Sequence, residues 1–381
     1  MPRIDAFLQL GREQGCSDIH FTVGLPPLIR LDGELLPVKY RELTLEETTG
    51  FIEEILDERQ RERLRESGST DLSYHSPEVG RFRINVCRHE NGLAAVCRVV
   101  PDDVPRLGDL GVPKVVSRFT KLNSGLVLVT GASGTGKSTT LAAMIEEINR
   151  ERSVNVITLE DPIEFVYQSR RSLVIQREVG SQLNSFRDGL RAALRQDPDV
   201  ILVGELRDQE TVTLAIEASE TGHLVFGTLH TRGAAQAVDR IIDSFPADGQ
   251  SQVRQTLADN LRAVIGQELI RTTDGRGRRV ACEIMVMTPA VAQLIRDGKT
   301  FQLPSAIATG RRSGMQLLDQ SLLNLVRLGE IDPDDAFLRA LDKKEFIPFV
   351  TKLELADLVG APLPASAPVA VEAGPRPGVA S

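Results

Sequence analysis

The sequence has 381 residues, 41% of them hydrophobic and 26% charged, with a formal net charge of -8. That is enough chain for two domains with sizeable cores, and the acidic balance excludes a general polyanion binder, so any basic site has to be local. Four scattered cysteines, Cys16, Cys87, Cys97 and Cys282, show neither a C-x-x-C pair nor a zinc-ligand spacing, which argues for free thiols in a reducing compartment.

The opening stretch MPRIDAFLQLGREQG is amphipathic and contains acids, unlike the apolar core of a signal peptide. No run approaches the ~18 apolar residues that span a bilayer. The expectation is a cytosolic protein that meets membranes only through partners. Residues 1–100 mix short helices and strands. In GRFRINVCRHENGLAAVCRVV, Asn91-Gly92 predicts a two-residue hairpin turn. That turn sets Asn85 opposite Arg98. Arg81, Arg83 and Asn85 then share one strand face with Arg98, and Phe82, Ile84 and Val86 turn to the core.

The stretch PDDVPRLGDLGVP, 101–113, is rich in Pro, Gly and Asp and reads as a domain boundary. After it, the apolar runs GLVLVTG, VNVITLED, DVILVGEL and HLVFGTLH alternate with helical patterns, which predicts an α/β sheet covered on both faces. From about residue 250 the periodicity reads as helical, in SQVRQTLADNLRAVIGQELI and again in GMQLLDQSLLNLVRLGEI. The Ala/Pro/Gly-rich tail, 359–381, is expected to be disordered.

Chemistry concentrates in the middle of the chain. Gly131, Gly136, Lys137 and Ser138 match G-x-x-x-x-G-K-[ST] between an apolar strand and a helix. Glycines let backbone N–H groups wrap phosphates, the helix N-terminus adds positive potential, the lysine reaches the terminal phosphates and the serine ligates Mg²⁺. Ser133, Gly134, Thr135, Gly136, Lys137, Ser138 and Thr139 are therefore the expected ATP contacts. Hydrolysis also needs acids at the metal and the water. VILVGELRD ends in Glu205, and ITLEDPIEF offers Glu160, Asp161 and Glu164. Sequence does not decide which of Glu164 and Glu205 is the base; the working assignment is Glu164 as base, with Glu205 and Ser138 on Mg²⁺.

The stretch ETGHLVFGTLHT carries His223 and His230, seven residues apart. Along a strand at ~3.3 Å per residue that is about 23 Å, with the side chains on opposite faces, so the two do not share a metal. His223 at the strand entry reads as structural, and His230 falls at the end where the phosphate loop lies.

Taken in order, GASGTGKST, ITLEDPIEF, LRQDPDVILVGELRD and TGHLVFGTLHT resemble the Walker A, Asp box, Walker B and His box of the secretion-type ATPase superfamily. Within it the chain is similar to PilT-type type IV pilus retraction ATPases, from GCSDIHFTVGLPPLIRLDGEL to SGMQLLDQSLLNLV. The resemblance implies an α/β chain with a PAS-like α+β N-terminal domain (1–100), a linker (101–113) and a RecA-like P-loop ATPase domain with a C-terminal helical portion (114–358). It also implies a homohexamer with ATP between the domains. Such a ring would be cytoplasmic, peripheral at the inner membrane through a pilus platform protein and the pilus machinery, with no nucleic-acid partner. It makes His230 a γ-phosphate sensor, Arg81 a nucleotide contact, and Arg83 and Arg98 the groups that neutralise charge in the transition state. Arg195 and Arg207 are the alternative holders of the Asp-box acids.

The expected function is an ATP-driven motor for pilus retraction and twitching motility. A pilus-assembly or type II secretion ATPase is the alternative, disfavoured because this sequence has neither the long N-terminal extension nor the four-cysteine module of many such proteins. An accessory retraction paralogue is another: AVAQLIRD at 290–297 stands where retraction ATPases often have AIRNLIRE, keeping Leu294, Ile295 and Arg296 but losing the Arg-Asn pair. A RecA-like nucleic-acid motor is opposed by the net charge of -8, by 4% aromatic residues and by the lack of an extended basic stripe. A small-molecule kinase is opposed by the lack of a recognisable second pocket or lid.

Overall fold

The computed structural model describes residues 2–31, 34–101 and 103–351; the tail expected to be disordered, 359–381, lies outside the described residues. Packing divides the chain into two units. One gathers Met1–Val104 with Ile157–Arg170 and Val174–Gly189; the other gathers Pro105–Val156, Arg171–Leu173 and Leu190–Ser381. The Asp-box segment is thus packed as part of the first unit.

Up to Val104 the elements are α1 (Asp5–Glu13), β1 (Asp18–Phe21), β2 (Leu28–Leu31), β3 (Glu34–Pro37), α2 (Leu45–Glu53), α3 (Glu58–Ser67), β4 (Ser69–Ser76), β5 (Gly80–His89) and β6 (Gly92–Val99). The strands form an antiparallel sheet in the order β3-β2-β1-β6-β5-β4. Thr44 with Glu47, and Asp57 with Gln60, form reciprocal caps that start α2 and α3. Along β5, Phe82, Ile84 and Val86 are fully buried among Ile4, Leu8, Ile19 and Phe21, while Arg83 and Asn85 are exposed. This is the alternation expected of a strand with one face on a core.

The hairpin turn falls one residue earlier than the sequence predicts. His89 pairs with Gly92 and Arg83, not Asn85, stands opposite Arg98. The turn is made by Glu90 and Asn91, both with negative φ, and the positive φ of this hairpin, +134°, falls on the glycine just after them. Gly92 instead opens β6. Arg98's partner moves two places along β5, an even shift, so the arginines keep their common face.

Beyond Val104 the elements are α4 (Val116–Phe119), β7 (Gly125–Thr130), α5 (Lys137–Glu151), β8 (Asn155–Glu160), β9 (Leu173–Glu178), α6 (Phe186–Ala193), β10 (Val200–Val203), α7 (Gln209–Glu220), β11 (Leu224–Leu229), α8 (Ala234–Asp243), α9 (Gln250–Asn260), β12 (Leu261–Arg271), β13 (Arg278–Val286), α10 (Pro289–Arg296), α11 (Leu303–Thr309), α12 (Leu318–Arg327) and α13 (Pro333–Arg339). The seven-stranded sheet runs β13-β12-β7-β11-β10-β8-β9. β10, β11, β7 and β12 pair in parallel and β13 turns back against β12. Every residue of β7, β10 and β11 is buried, as parallel strands covered on both faces require.

The helical reading after residue 250 holds for α9 but fails at LRAVIGQELI, which is β12. A short apolar run has no period that separates a buried strand from a buried helix. Here pairing decides: Val264 and Ile265 lie between Leu128 and Val129 of β7 and Met285 and Ile284 of β13. The sequence reading does not anticipate β13. The C-terminal helices α10 to α13 do follow it.

Candidate functional site

Three loops leave the same edge of the sheet. Leu229 of β11 pairs with Thr130 of β7, so His230 and Gly131 step off the sheet side by side, and Gly131 N donates to Leu229 O at 3.3 Å. Val203 of β10 pairs with Gly227, which brings Gly204-Glu205 to that edge. Leu206 N donates to Thr228 O at 3.0 Å, and the Thr228 hydroxyl donates to Gly204 O. The carboxyl ends of strands in open α/β sheets are where such folds bind ligands.

The phosphate loop is held open by its own residues. At Gly131 (φ +147°) a Cβ would lie 2.5 Å from Gln267 O, so no side chain fits; Gly136 (φ +86°) takes the left-handed turn into α5. Lys137 is 8% exposed, and its Nζ donates to Gly131 O at 2.9 Å and Ala132 O at 2.8 Å. Thr135 Oγ1 donates to Ala132 O at 3.0 Å. Ser133, Gly134 and Ser138 are exposed and Thr139 is half-buried. No side chain caps the start of α5. The loop therefore presents an uncapped helix N-terminus beside a buried ammonium, an arrangement suited to an anion.

Glu205 Oε2 lies 2.7 Å from Arg207 Nη2, and its Oε1 lies 3.4 Å from His230 Nε2. Burial pushes this carboxyl up, but Arg207 and His230 outweigh burial and hold it below the usual carboxylate range. It is an ionised oxygen donor at neutral pH. Arg207 has Glu205 among its ion partners, and Arg195 is exposed beyond α6. His223 turns the other way: its Nδ1 donates to Ala218 O at 2.8 Å, closing the C-terminal end of α7.

Within the first unit, Asp161 and Glu164 are exposed, whereas Glu160 is turned inward. Its Oε1 accepts from Thr158 Oγ1 at 2.6 Å and Gln176 Nε2 at 3.1 Å, and burial pushes its carboxyl up. The three hairpin arginines have different settings. Arg98 Nε donates to Asp18 Oδ1 at 2.8 Å; burial pushes Asp18 up, but hydrogen bonds from Ser17 and Arg98 keep it below its ordinary value. Arg81 Nη1 donates to Ser73 Oγ at 3.1 Å and lies 4.0 Å from Glu178 Oε2, which also accepts from Ile163 N at 3.0 Å. Arg83 is exposed in a pocket with Arg59, Arg63, Asp71 and Asp161, and among the described residues its side chain has no ion-pair or hydrogen-bond partner.

The structure thus brings Lys137, Glu205 and His230 to one sheet edge, and separately places Arg81, Arg83 and Arg98 on one face of the antiparallel sheet. Sequence reasoning misses Asp18 and Glu178, the acids that hold two of those arginines. In the departing segment 290–297, Ile295 is buried and Arg296 pairs with Asp259 of α9, so the retained residues anchor α10. Among the described residues, no helix is long and apolar enough to cross a membrane.

Residues 62–332 match the family described as Type II/IV secretion system protein, and the chain belongs to that family. Within it, the chain is similar to the Type IV pilus retractation ATPase PilT of Pseudomonas aeruginosa, 46% identical over 343 residues that cover 90% of this chain and 99% of that one. It is 48% identical over 314 residues to the Twitching motility protein of Neisseria gonorrhoeae, covering 82% of this chain and 84% of the relative. Among solved structures it is similar to the pilus retraction motor PilT with bound ADP, at a TM-score of 0.84 and 43% identity over 90% of this chain and 98% of that one.

Proposed function

We propose that the chain is an ATP-hydrolysing motor that powers type IV pilus retraction. The observation that carries this reading is likeness over nine-tenths of the chain to an ADP-bound retraction motor, at a TM-score of 0.84. The chain's own residues supply the chemistry. The loop Ser133–Thr139 and the first amides of α5 receive the phosphates, and Lys137 leaves its carbonyl partners for the terminal phosphate. Ser138 and Glu205 form an all-oxygen donor pair that suits Mg²⁺, a hard cation that keeps several waters. When bound, the metal neutralises charge on the β- and γ-phosphate oxygens.

Glu164 takes the proton of the attacking water. His230 donates to the γ-phosphate and loses that partner on hydrolysis, leaving Glu205 as its remaining neighbour. Arg83 neutralises charge on the transferring phosphoryl group, with Arg98 and Arg81 set beside it by Asp18 and Glu178. Residues 1–100 act as a PAS-like domain and the segment 114–358 as the RecA-like ATPase domain, joined through 101–113. The working assembly is a homohexamer in the cytoplasm, docked on an inner-membrane pilus platform protein. Nucleic acid has no part in it.

A deletion strain tests this reading. Loss of a retraction motor is expected to abolish twitching and leave more pili on the cell surface than the parent carries, counted by electron microscopy. A strain without surface pili would instead identify an assembly motor.

A further inference from the structure

One buried carboxylate outside the site lies against the loop that carries His230. Glu283 of β13 is 6% exposed and stands directly opposite Gly266 of β12. A Cβ at Gly266 would lie 3.3 Å from Gly233 Cα and 3.4 Å from Glu283 Cβ, so the glycine is what lets the carboxylate reach past β12. Glu283 Oε1 accepts from Ala234 N at 2.7 Å, at the first residue of α8 and just beyond the His230 loop. Burial pushes this carboxyl up, and the backbone amides of Ala234 and of Leu318, the first residue of α12, counter it; beside it in β13, Ile284 N donates to Gln316 O at 2.9 Å and Cys282 N to Ser321 Oγ at 3.1 Å, which holds the start of α12. Gly233 is matched to it: its φ is +87°, and a Cβ there would sit 2.7 Å from Glu283 Oε1. On its other side Gly266 pairs with Thr130 at the exit to the phosphate loop, and the next residue, Gln267, donates to Thr140 Oγ1 of α5.

A carboxylate that accepts from the first amide of α8 and faces the start of α12 is favoured by both helix dipoles and satisfies an orphan donor of α8. Interfaces of this kind have discrete packings rather than a continuum, so a shift at one helix start is felt at the other. We propose that Glu283 is a positioning residue, which sets the loop carrying His230 and ties that setting to α12. A change at the terminal phosphate then reaches the C-terminal helices through one side chain. The inference rests on the role of His230 proposed above.

Glu283→Gln tests it in the full chain. The amide can keep its oxygen on Ala234 N, but it loses the charge that faces both helix starts and turns an N–H toward α12. Amide hydrogen exchange is expected to speed up in peptides containing Ala234 and Leu318 and to stay unchanged in β7 and β11. ATP turnover should fall about tenfold, the scale of one lost charged hydrogen bond, with little change in KM. In a His230→Ala background, Glu283→Gln should cost no further turnover, because both act through the same loop. Unchanged exchange and turnover overturn the proposal, and so does a loss that multiplies in the double variant. A full-rate His230→Ala chain would overturn the sensor role of His230 and this inference with it, whereas a slow His230→Ala chain with multiplying losses overturns this inference alone. If Glu283→Gln does not fold, Glu283→Asp, which keeps the charge but withdraws the oxygens, carries the same comparison.

Discussion

Lys137→Ala is expected to reduce ATP turnover by at least ~10²–10³-fold, the scale of losing a preorganised charge at a reacting phosphate. The geometry adds a second loss. Nζ is the donor to Gly131 O and Ala132 O, so its removal leaves both carbonyls of the loop's first turn without that partner. Leaving a buried acceptor without its charged donor costs about 1–3 kcal/mol, and that cost falls on the empty loop. Affinity for ADP should fall along with turnover, because the bound phosphates lose the cation that reaches them, while the far strands of the sheet keep their hydrogen-exchange protection. Titration of a fluorescent ADP analogue beside a steady-state ATPase assay checks both. Full activity would refute the assignment of the loop.

Arg83→Ala is expected to reduce turnover by roughly 10³-fold or more, the range for an arginine that neutralises a transferring phosphoryl group. Its two neighbours should behave differently. Arg98→Ala strips Asp18, a buried carboxylate, of its charged donor, and Arg81→Ala removes the cation nearest Glu178. Each of these should lower the melting temperature as well as the rate, because an uncompensated buried charge is costly. Arg83 has no such partner among the described residues, so its loss should leave thermal unfolding unchanged. Unaltered turnover in Arg83→Ala would mean that this arginine only solvates an exposed face.

The readable parts of the sequence were those whose physics is local. An all-apolar run closed by a glycine loop and a helix is fixed by neighbours in the chain, and β7, the phosphate loop and α5 follow it residue by residue. The common face of Arg81, Arg83 and Arg98 was legible despite a misplaced turn, because a shift of two residues preserves strand parity. β12 was not legible, since its identity depends on β7 and β13 rather than on its own period. The same holds for the acids that position the site. Arg98 and Asp18 are 80 residues apart in sequence and Ala234 and Glu283 are 49 apart. A carboxylate buried by distant strands carries no local mark that separates it from a solvated one.

ATP turnover at this site drives the pilus inward. The most direct test is the speed of single, fluorescently labelled pili in strains whose chromosomal copy is wild type or Arg83→Ala. Retraction should slow in proportion to the turnover of the purified variant, with extension speed unchanged. Slowed extension with normal retraction would show that this motor drives pilus growth instead.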